Sequence, residues 1–341
     1  MWASRILRAA SNATSCSHSP LQHSPLTGLF AVNKPTGLTS TTIVDHLQHV
    51  CQRNRTHPFV QRLLELDGSK RAKRGLVKVG HGGTLDPLAR GIVVVGLGAG
   101  TKQLHGMSAS SKVYIAEGRL GFSSTTLDCT GSLVAEGPTN HIAKQDLIQA
   151  LCAFKGEILQ TPPLYSAISM DGKRLYDYAR EGLPLPRDIP TRKVQIHGLE
   201  LLSFPDGTTP PDPSLQQYGF LSENSNTATE PSTPSFTMGF KPKRMKHHPD
   251  ENPDHVPIPS TPEGLVFHIR VHCSSGTYIR TLIADIAAHL GTVGHMTDLL
   301  RVEQSGFKLG DEATLEMEEC EDLEKVGRAI QAGNRVSQET S

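Results

Sequence analysis

The stretch GHGGTLDPLARGIVVVGLGAGTK, Gly80 to Lys102, decides how this chain is read. Its second half opens on GIVVVG, an unbroken apolar run of strand length and so a buried strand. Its first half sets glycines around His81 and Asp86, five residues apart, and closes the turn at Pro87. A glycine-rich turn after a strand suggests nucleotide binding, and Glu117 lies about twenty residues beyond Gly96, where a ribose-binding acid belongs. The spacing excludes that reading. Gly96, Gly98 and Gly100 form GxGxG rather than GxGxxG, the residues after them are poor helix formers, and GTK is not the GK[ST] of a phosphate-binding loop. Two readings of Asp86 remain. A carboxylate in a rigid turn, with glycines admitting a second backbone, suits a nucleophile or base that must reach a sugar or nucleobase. Asp followed by Pro is equally a good helix N-cap, and the residue types leave both open.

Working outward, GLFAVNK from Gly28 is a short apolar strand that ends in the Lys34-Pro35 turn. Ser40 is a good N-cap for a helix carrying Ile43, Val44, Leu47, Val50 and Cys51 at helical spacing. LVKVG reads as a strand before the glycine turn, and KVYIAEGRLG as a half-exposed strand after it. Leu147, Ile148, Leu151 and Cys152 mark a helix face. Later, LVFHIRVHC is a strand, and TYIRTLIADIAAHLG is an amphipathic helix with Ile279, Leu282, Ile283, Ile286 and Leu290 on one face and Gly291 at its stop. Strands and helices alternate without a regular βαβ period, which predicts a mixed α/β domain.

The chain has 341 residues, enough for one large or two small domains, and 34 Lys plus Arg balance 34 Asp plus Glu. Net charge therefore indicates no partner, whereas its distribution is uneven. Eight cations (Arg53, Arg55, Arg62, Lys70, Arg71, Lys73, Arg74, Lys78) stand against Glu65 and Asp67, while seven acids crowd Asp311 to Asp322. Such asymmetry aims a basic face at phosphates, although charge alone favours the plainer reading of a solvated loop and a solvated acidic helix. Six scattered cysteines without a CxxC pair suggest neither zinc nor a disulfide framework and fit a reducing compartment. No run of eighteen apolar residues spans a membrane. The first 44 residues contain no acid, and MWASRILRAASNATS fits a mitochondrial presequence and a plain disordered N-terminus alike. Residues 205–262 hold twelve of the 23 prolines and read as a disordered insertion. Within it KPKRMK at Lys241 to Lys246 permits RNA contact or a nuclear address, a solvated stretch being the simpler reading.

GHGGTLDPLARG resembles the signature of the TruB family of tRNA pseudouridine synthases, usually GHTGTLDPLAxG. VNKPTGLTS (Val32 to Ser40), SKVYIAEGRLGFSSTTLDCTG (Ser111 to Gly131), PPLYSAISMDGKRLYDYAREG (Pro162 to Gly182) and HCSSGTYIRTLIADIAAHLG (His272 to Gly291) resemble further family motifs in family order. The resemblance covers roughly residues 28–203 and 264–310. It implies a pseudouridine synthase fold, a mixed and mainly antiparallel central sheet flanked by helices and loops around an RNA-binding cleft. The implied organisation is a presequence-like 1–27, a catalytic domain 28–310 with a basic insertion 52–76 and the Pro-rich insertion 205–262, and an acidic helical tail 311–341.

The resemblance also implies roles. Asp86 stands at the catalytic aspartate, Arg280 at the arginine that pairs with it, and Tyr114 at the tyrosine that stacks on the target base. Tyr278 matches the tyrosine beside the pocket, His81 the histidine that supports the remodelled RNA loop, and Leu299 an apolar pocket residue. Asp298 and Leu300 depart from the usual YLRR pattern, Gly82 replaces a common threonine, Ser169 replaces a frequent lysine, and no PUA domain is recognisable. The implied activity is isomerisation of the T-loop uridine of tRNA, position 55, by base flipping and an essential aspartate, with no cofactor and no metal. The implied partners are the tRNA T-arm and T-loop-like messenger hairpins, with no membrane, no obligate protein partner and a monomeric state. Mitochondria, with a nuclear alternative, are the expected location. A tRNA-folding chaperone using the same cleft without catalysis is the alternative function.

Overall fold

A computed structural model describes residues 28–207, 210–221, 258 and 264–339. The expected presequence, KPKRMK and most of the Pro-rich insertion lie outside these residues. In chain order the first elements are β1 (Gly28–Lys34), α1 (Ser40–Arg53), α2 (Pro58–Asp67), α3 (Lys70–Lys73), β2 (Val79–His81), β3 (Arg90–Leu97), α4 (Leu104–Ala109) and β4 (Lys112–Leu120). They continue with β5 (Phe122–Ser124), β6 (Leu133–Glu136), α5 (Lys144–Ala153), β7 (Gly156–Gln160), β8 (Ser169–Met170), β9 (Lys173–Arg174), α6 (Leu175–Arg180), β10 (Arg192–Ser203) and α7 (Pro213–Gln217). The last are β11 (Leu265–Cys273), α8 (Ile279–His289), β12 (Gly294–Gln304), β13 (Phe307–Lys308), β14 (Thr314–Glu316) and α9 (Leu323–Glu339).

Ten strands form one sheet with the path β14-β1-β3-β12-β4-β11-β10-β7, β2 pairing with β3 and β13 with β12. Only β1/β14 and β3/β12 are parallel, so the expected mixed, mainly antiparallel sheet is what forms. The alternation of β4 divides the layers: Tyr114 and Ala116 face the main core, while Ile115 faces a smaller cluster with Leu202 and Leu215. On the main face the apolar stripe of α8 (Ile279, Leu282, Ile283, Ile286) packs on β12 and β4 and beside α5 with Leu147 and Leu151, and Ile43, Leu47 and Val50 of α1 extend the same core over β1 and β2. Burial of such side chains contributes about 1.5–3 kcal/mol each.

Four expectations change. The cap of α1 is Thr39, whose hydroxyl accepts from the Thr42 amide at 3.1 Å, which releases Ser40 for another task. The basic connection is no loop, because Phe59, Val60 and Leu63 of α2 and Ala72 of α3 are buried. Residues 311–339 are no appendage: β14 pairs with β1, and Val326, Ala329 and Ile330 of α9 enter the core. The acids dominated the reading of that segment, whereas its apolar positions decide its packing. Likewise residues 210–221, inside the expected disordered insertion, are ordered by Leu215 against Ile115 and Leu202. No described helix is long and apolar enough to cross a membrane.

Candidate active site

Strands β3 and β12 share a ladder of only two residue pairs, Arg90 with Leu300 and Gly91 with Arg301. The segment Gly82 to Ala89 leads into that junction, and it is not helical, so Asp86 is not an N-cap. Its backbone is held from several sides. The Leu85 amide donates to Ser40 Oγ at 2.9 Å, and the Pro87 carbonyl accepts from the Gly37 amide at 2.7 Å and from Lys34 Nζ at 3.3 Å. The Gly83 carbonyl accepts from Arg301 Nη2 at 3.4 Å, and the Gly82 carbonyl from Gln304. Gly83 has φ +130°, a conformation that L side chains rarely adopt. Asp86 thus projects from a backbone fixed on both flanks, with about a third (32 %) of its side chain exposed.

Arg280 comes from the first turn of α8, 194 positions later in the chain, and is 3 % exposed. Its Nε lies 2.8 Å from Asp86 Oδ2, off the N–H direction, so the contact is an ion pair rather than an aligned hydrogen bond. Nη1 donates to the Thr126 carbonyl at 2.8 Å and Nη2 to the Tyr165 carbonyl at 3.0 Å. A second carboxylate completes the group: Asp128 Oδ2 lies 3.6 Å from Nε. Asp128 Oδ1 accepts from the hydroxyls of Thr126 and Thr130 at 2.6 Å each and from the Thr130 amide at 3.0 Å. Burial opposes the guanidinium charge, but the two carboxylates outweigh it and raise the arginine's pKa further. One buried cation therefore bridges two acids, one open to solvent and one enclosed.

Tyr114 of β4 pairs in register with Arg301 of β12 and is 7 % exposed. Burial pushes its phenol up, and the Arg301 guanidinium beside it pulls the other way. Leu299, two residues before Arg301 and opposite Ala116, shares that core with Tyr114 and Leu85. His81, in β2, is half-buried, and burial and then Arg301 push its pKa down. Tyr278 precedes α8; its amide donates to Gln160 Oε1 at 2.8 Å and its carbonyl accepts from Gln160 Nε2 at 3.1 Å. The Arg192 guanidinium lies 5.0 Å from the Tyr278 ring centre. Arg280 thus meets Asp86 directly and Tyr278 lies near Arg280, whereas Tyr114 and His81 lie near Arg301, which holds the Gly83 carbonyl, and Leu299 stands two residues before it.

Sequence reasoning named neither Asp128 nor Arg301 as site residues, and it read Lys34 and Ser40 as a turn and a cap. Lys34 is fully buried, its Nζ donating also to the Pro35 and Leu38 carbonyls at 2.9 and 2.8 Å, and burial drives its pKa down to about 7. All but Arg301 lie within quoted motifs, VNKPTGLTS and TTLDCTG. The motif departures also have structural counterparts. Asp298 Oδ2 pairs with Arg90 Nη2 at 3.0 Å, a Cβ at Gly82 would crowd Met107, and Ser169 stands exposed in the β8–β9 pair. Among the described residues no group of three or more His, Cys, Asp or Glu could hold a metal ion.

Comparison with known proteins gives one answer. Residues 70–211 match the family model described as TruB family pseudouridylate synthase, N-terminal domain. The chain is 35 % identical over 318 residues to tRNA pseudouridine synthase 4 of Saccharomyces cerevisiae, covering 83 % of this chain and 78 % of that protein. It is 32 % identical over 339 residues to tRNA pseudouridine synthase 4 of Schizosaccharomyces pombe, covering 86 % and 82 %. It is 32 % identical over 290 residues to tRNA pseudouridine synthase B of Geobacillus kaustophilus, covering 85 % and 75 %.

Proposed function

The chain belongs to the TruB family of pseudouridine synthases, and from that premise we propose that its target is the T-loop uridine of tRNA, position 55. It is an isomerase acting on tRNA: the uracil is detached from C1′ and rejoined through C5, a carbon–carbon bond replacing the carbon–nitrogen one. The observation that carries the site assignment is the ion pair of Asp86 with the deeply buried Arg280.

A uridine within a folded loop must be extruded before its glycosidic bond can be reached. Asp86 is the group in this assignment that meets it, since its carboxylate is partly open while its partner is enclosed. Arg280 keeps that carboxylate charged and aimed, and Asp128 with its two threonine hydroxyls holds the guanidinium from behind. Tyr114 and Leu299 are assigned the apolar wall, base stacking on the tyrosine contributing about 1–3 kcal/mol toward extrusion. With Tyr114 7 % exposed, this stacking requires the wall to part as the nucleotide enters. Tyr278 is assigned the pocket rim and His81 the displaced RNA loop.

A monomer without an obligate protein partner is proposed as the working form. T-loop-like messenger hairpins offer the same shape and are proposed as secondary substrates. For location we propose mitochondria on the acid-free start, with Lys241 to Lys246 as the nuclear alternative.

The deciding experiment replaces Asp86 by Asn and maps pseudouridine in a tRNA transcript. Wild-type product at position 55, lost in Asp86→Asn with tRNA binding retained, is the expected result. Wild-type protein that binds tRNA yet forms no pseudouridine in any T-loop transcript would leave only the folding chaperone.

A further inference from the structure

The eight cations between Arg53 and Lys78 meet different fates in the fold. Arg53 pairs with Glu321, and Arg62 lies 3.4 Å from Glu65. The C-terminal acids thus neutralise the α1 end of the connection, Glu324 also standing 3.9 Å from His57. Arg55, Lys70, Arg71, Lys73, Arg74 and Lys78 are exposed and have no carboxylate within ion-pair distance among the described residues. The local acids are occupied, Glu65 by Arg62 and Asp67 by the Ser69 hydroxyl at 3.0 Å. Arg55 reaches back against Gly75, just after α3, and so joins the same group. Buried Ala72 and Val77 anchor the backbone that carries the other five. That backbone runs directly into β2 and His81, at most about 23 Å of extended chain from Arg74 at 3.3 Å per residue.

We infer that these six side chains form a phosphate-binding surface that grips the sugar–phosphate backbone of the RNA whose uridine enters at Asp86. The inference rests on the proposed tRNA substrate. Unpaired, solvent-facing cations on an anchored backbone release counterions when they meet phosphates, and in a chain of zero net charge this local excess supplies the attraction.

The test uses the full chain and a tRNA transcript, with binding read across salt concentrations. Each lost phosphate contact removes about 0.7–0.9 from the slope of log Kd against log salt. Replacing Lys70, Arg71, Lys73 and Arg74 together by Gln is expected to make that slope shallower by about 3, and binding about 300-fold weaker at 0.15 M salt if the affinity at 1 M is common to both. Pseudouridine formation should lose in KM and not in kcat. The control Arg53→Gln with Arg62→Gln, whose cations are already paired, should keep the wild-type slope. An unchanged slope in the fourfold variant, or an equal change in the control, overturns the surface. Because binding is read without turnover, a wild-type chain that binds tRNA but makes no pseudouridine overturns the functional reading alone.

Discussion

Replacing Arg280 by Met tests the bridge between Asp86 and Asp128 directly. The guanidinium holds two carbonyls, Thr126 and Tyr165, and stands between two carboxylates at 2.8 and 3.6 Å. Without it Asp128, 7 % exposed at its side chain, faces Asp86 with no cation between them. Removing one partner of a buried pair costs about 3–5 kcal/mol, a large share of the roughly 5–15 kcal/mol that holds a domain folded. Asp86→Asn is different, because Arg280 keeps Asp128 in a one-to-one pair and the lost charge was partly solvated. Its expected cost is under about 1 kcal/mol. Adding Asp128→Asn to Arg280→Met removes the repulsion and should return about 1–3 kcal/mol relative to the sum of the single changes. Urea unfolding of the four purified variants, with pseudouridine formation on a tRNA transcript, reads both effects. Arg280→Met within about 1 kcal/mol of Asp86→Asn in stability, or a double variant with no coupling, refutes the bridging argument.

Ser40→Ala removes the acceptor for the Leu85 amide, one residue before Asp86. An unsatisfied buried donor costs about 1–3 kcal/mol, and single-turnover pseudouridine formation should slow while Ser40→Thr, which keeps the hydroxyl, recovers part of the rate. Gly91→Ala should destabilise by about 3 kcal/mol or more, since φ is +104° and the new Cβ would strike the Arg301 backbone at the β3–β12 junction; a thermal melt equal to wild type would sink this. Burial lowers the pKa values of His46, His81 and His295 below 6.5 in the folded chain. The unfolded chain then takes up those protons first, so stability present above pH 6.5 is lost as pH falls through it, by up to about 1.4 kcal/mol per histidine per pH unit. Urea midpoints that stay level from pH 7.5 to 5.5 would contradict this.

Much of the architecture was written in local patterns. GIVVVG reads as a buried strand, the helical spacing of Ile279, Leu282, Ile283 and Ile286 as the inner face of α8, and GHGGTLDP as a rigid turn, because each depends on neighbours within a few residues. Composition misled where few apolar residues outweigh many polar ones. Leu215 orders residues 210–221 within a proline-rich stretch, and Val326 and Ile330 carry an acidic-looking terminus into the core. The site's electrostatics lay beyond any local reading. Asp86, Asp128 and Arg280 are bound by charges that act through space, and only the closing of the sheet sets them within 4 Å. The same packing places Arg301 against the Asp86 turn and separates the paired cations of the basic connection, Arg53 and Arg62, from the six open ones. Periodicity in the chain names which faces turn inward; which charged groups then meet depends on the long-range packing of those faces.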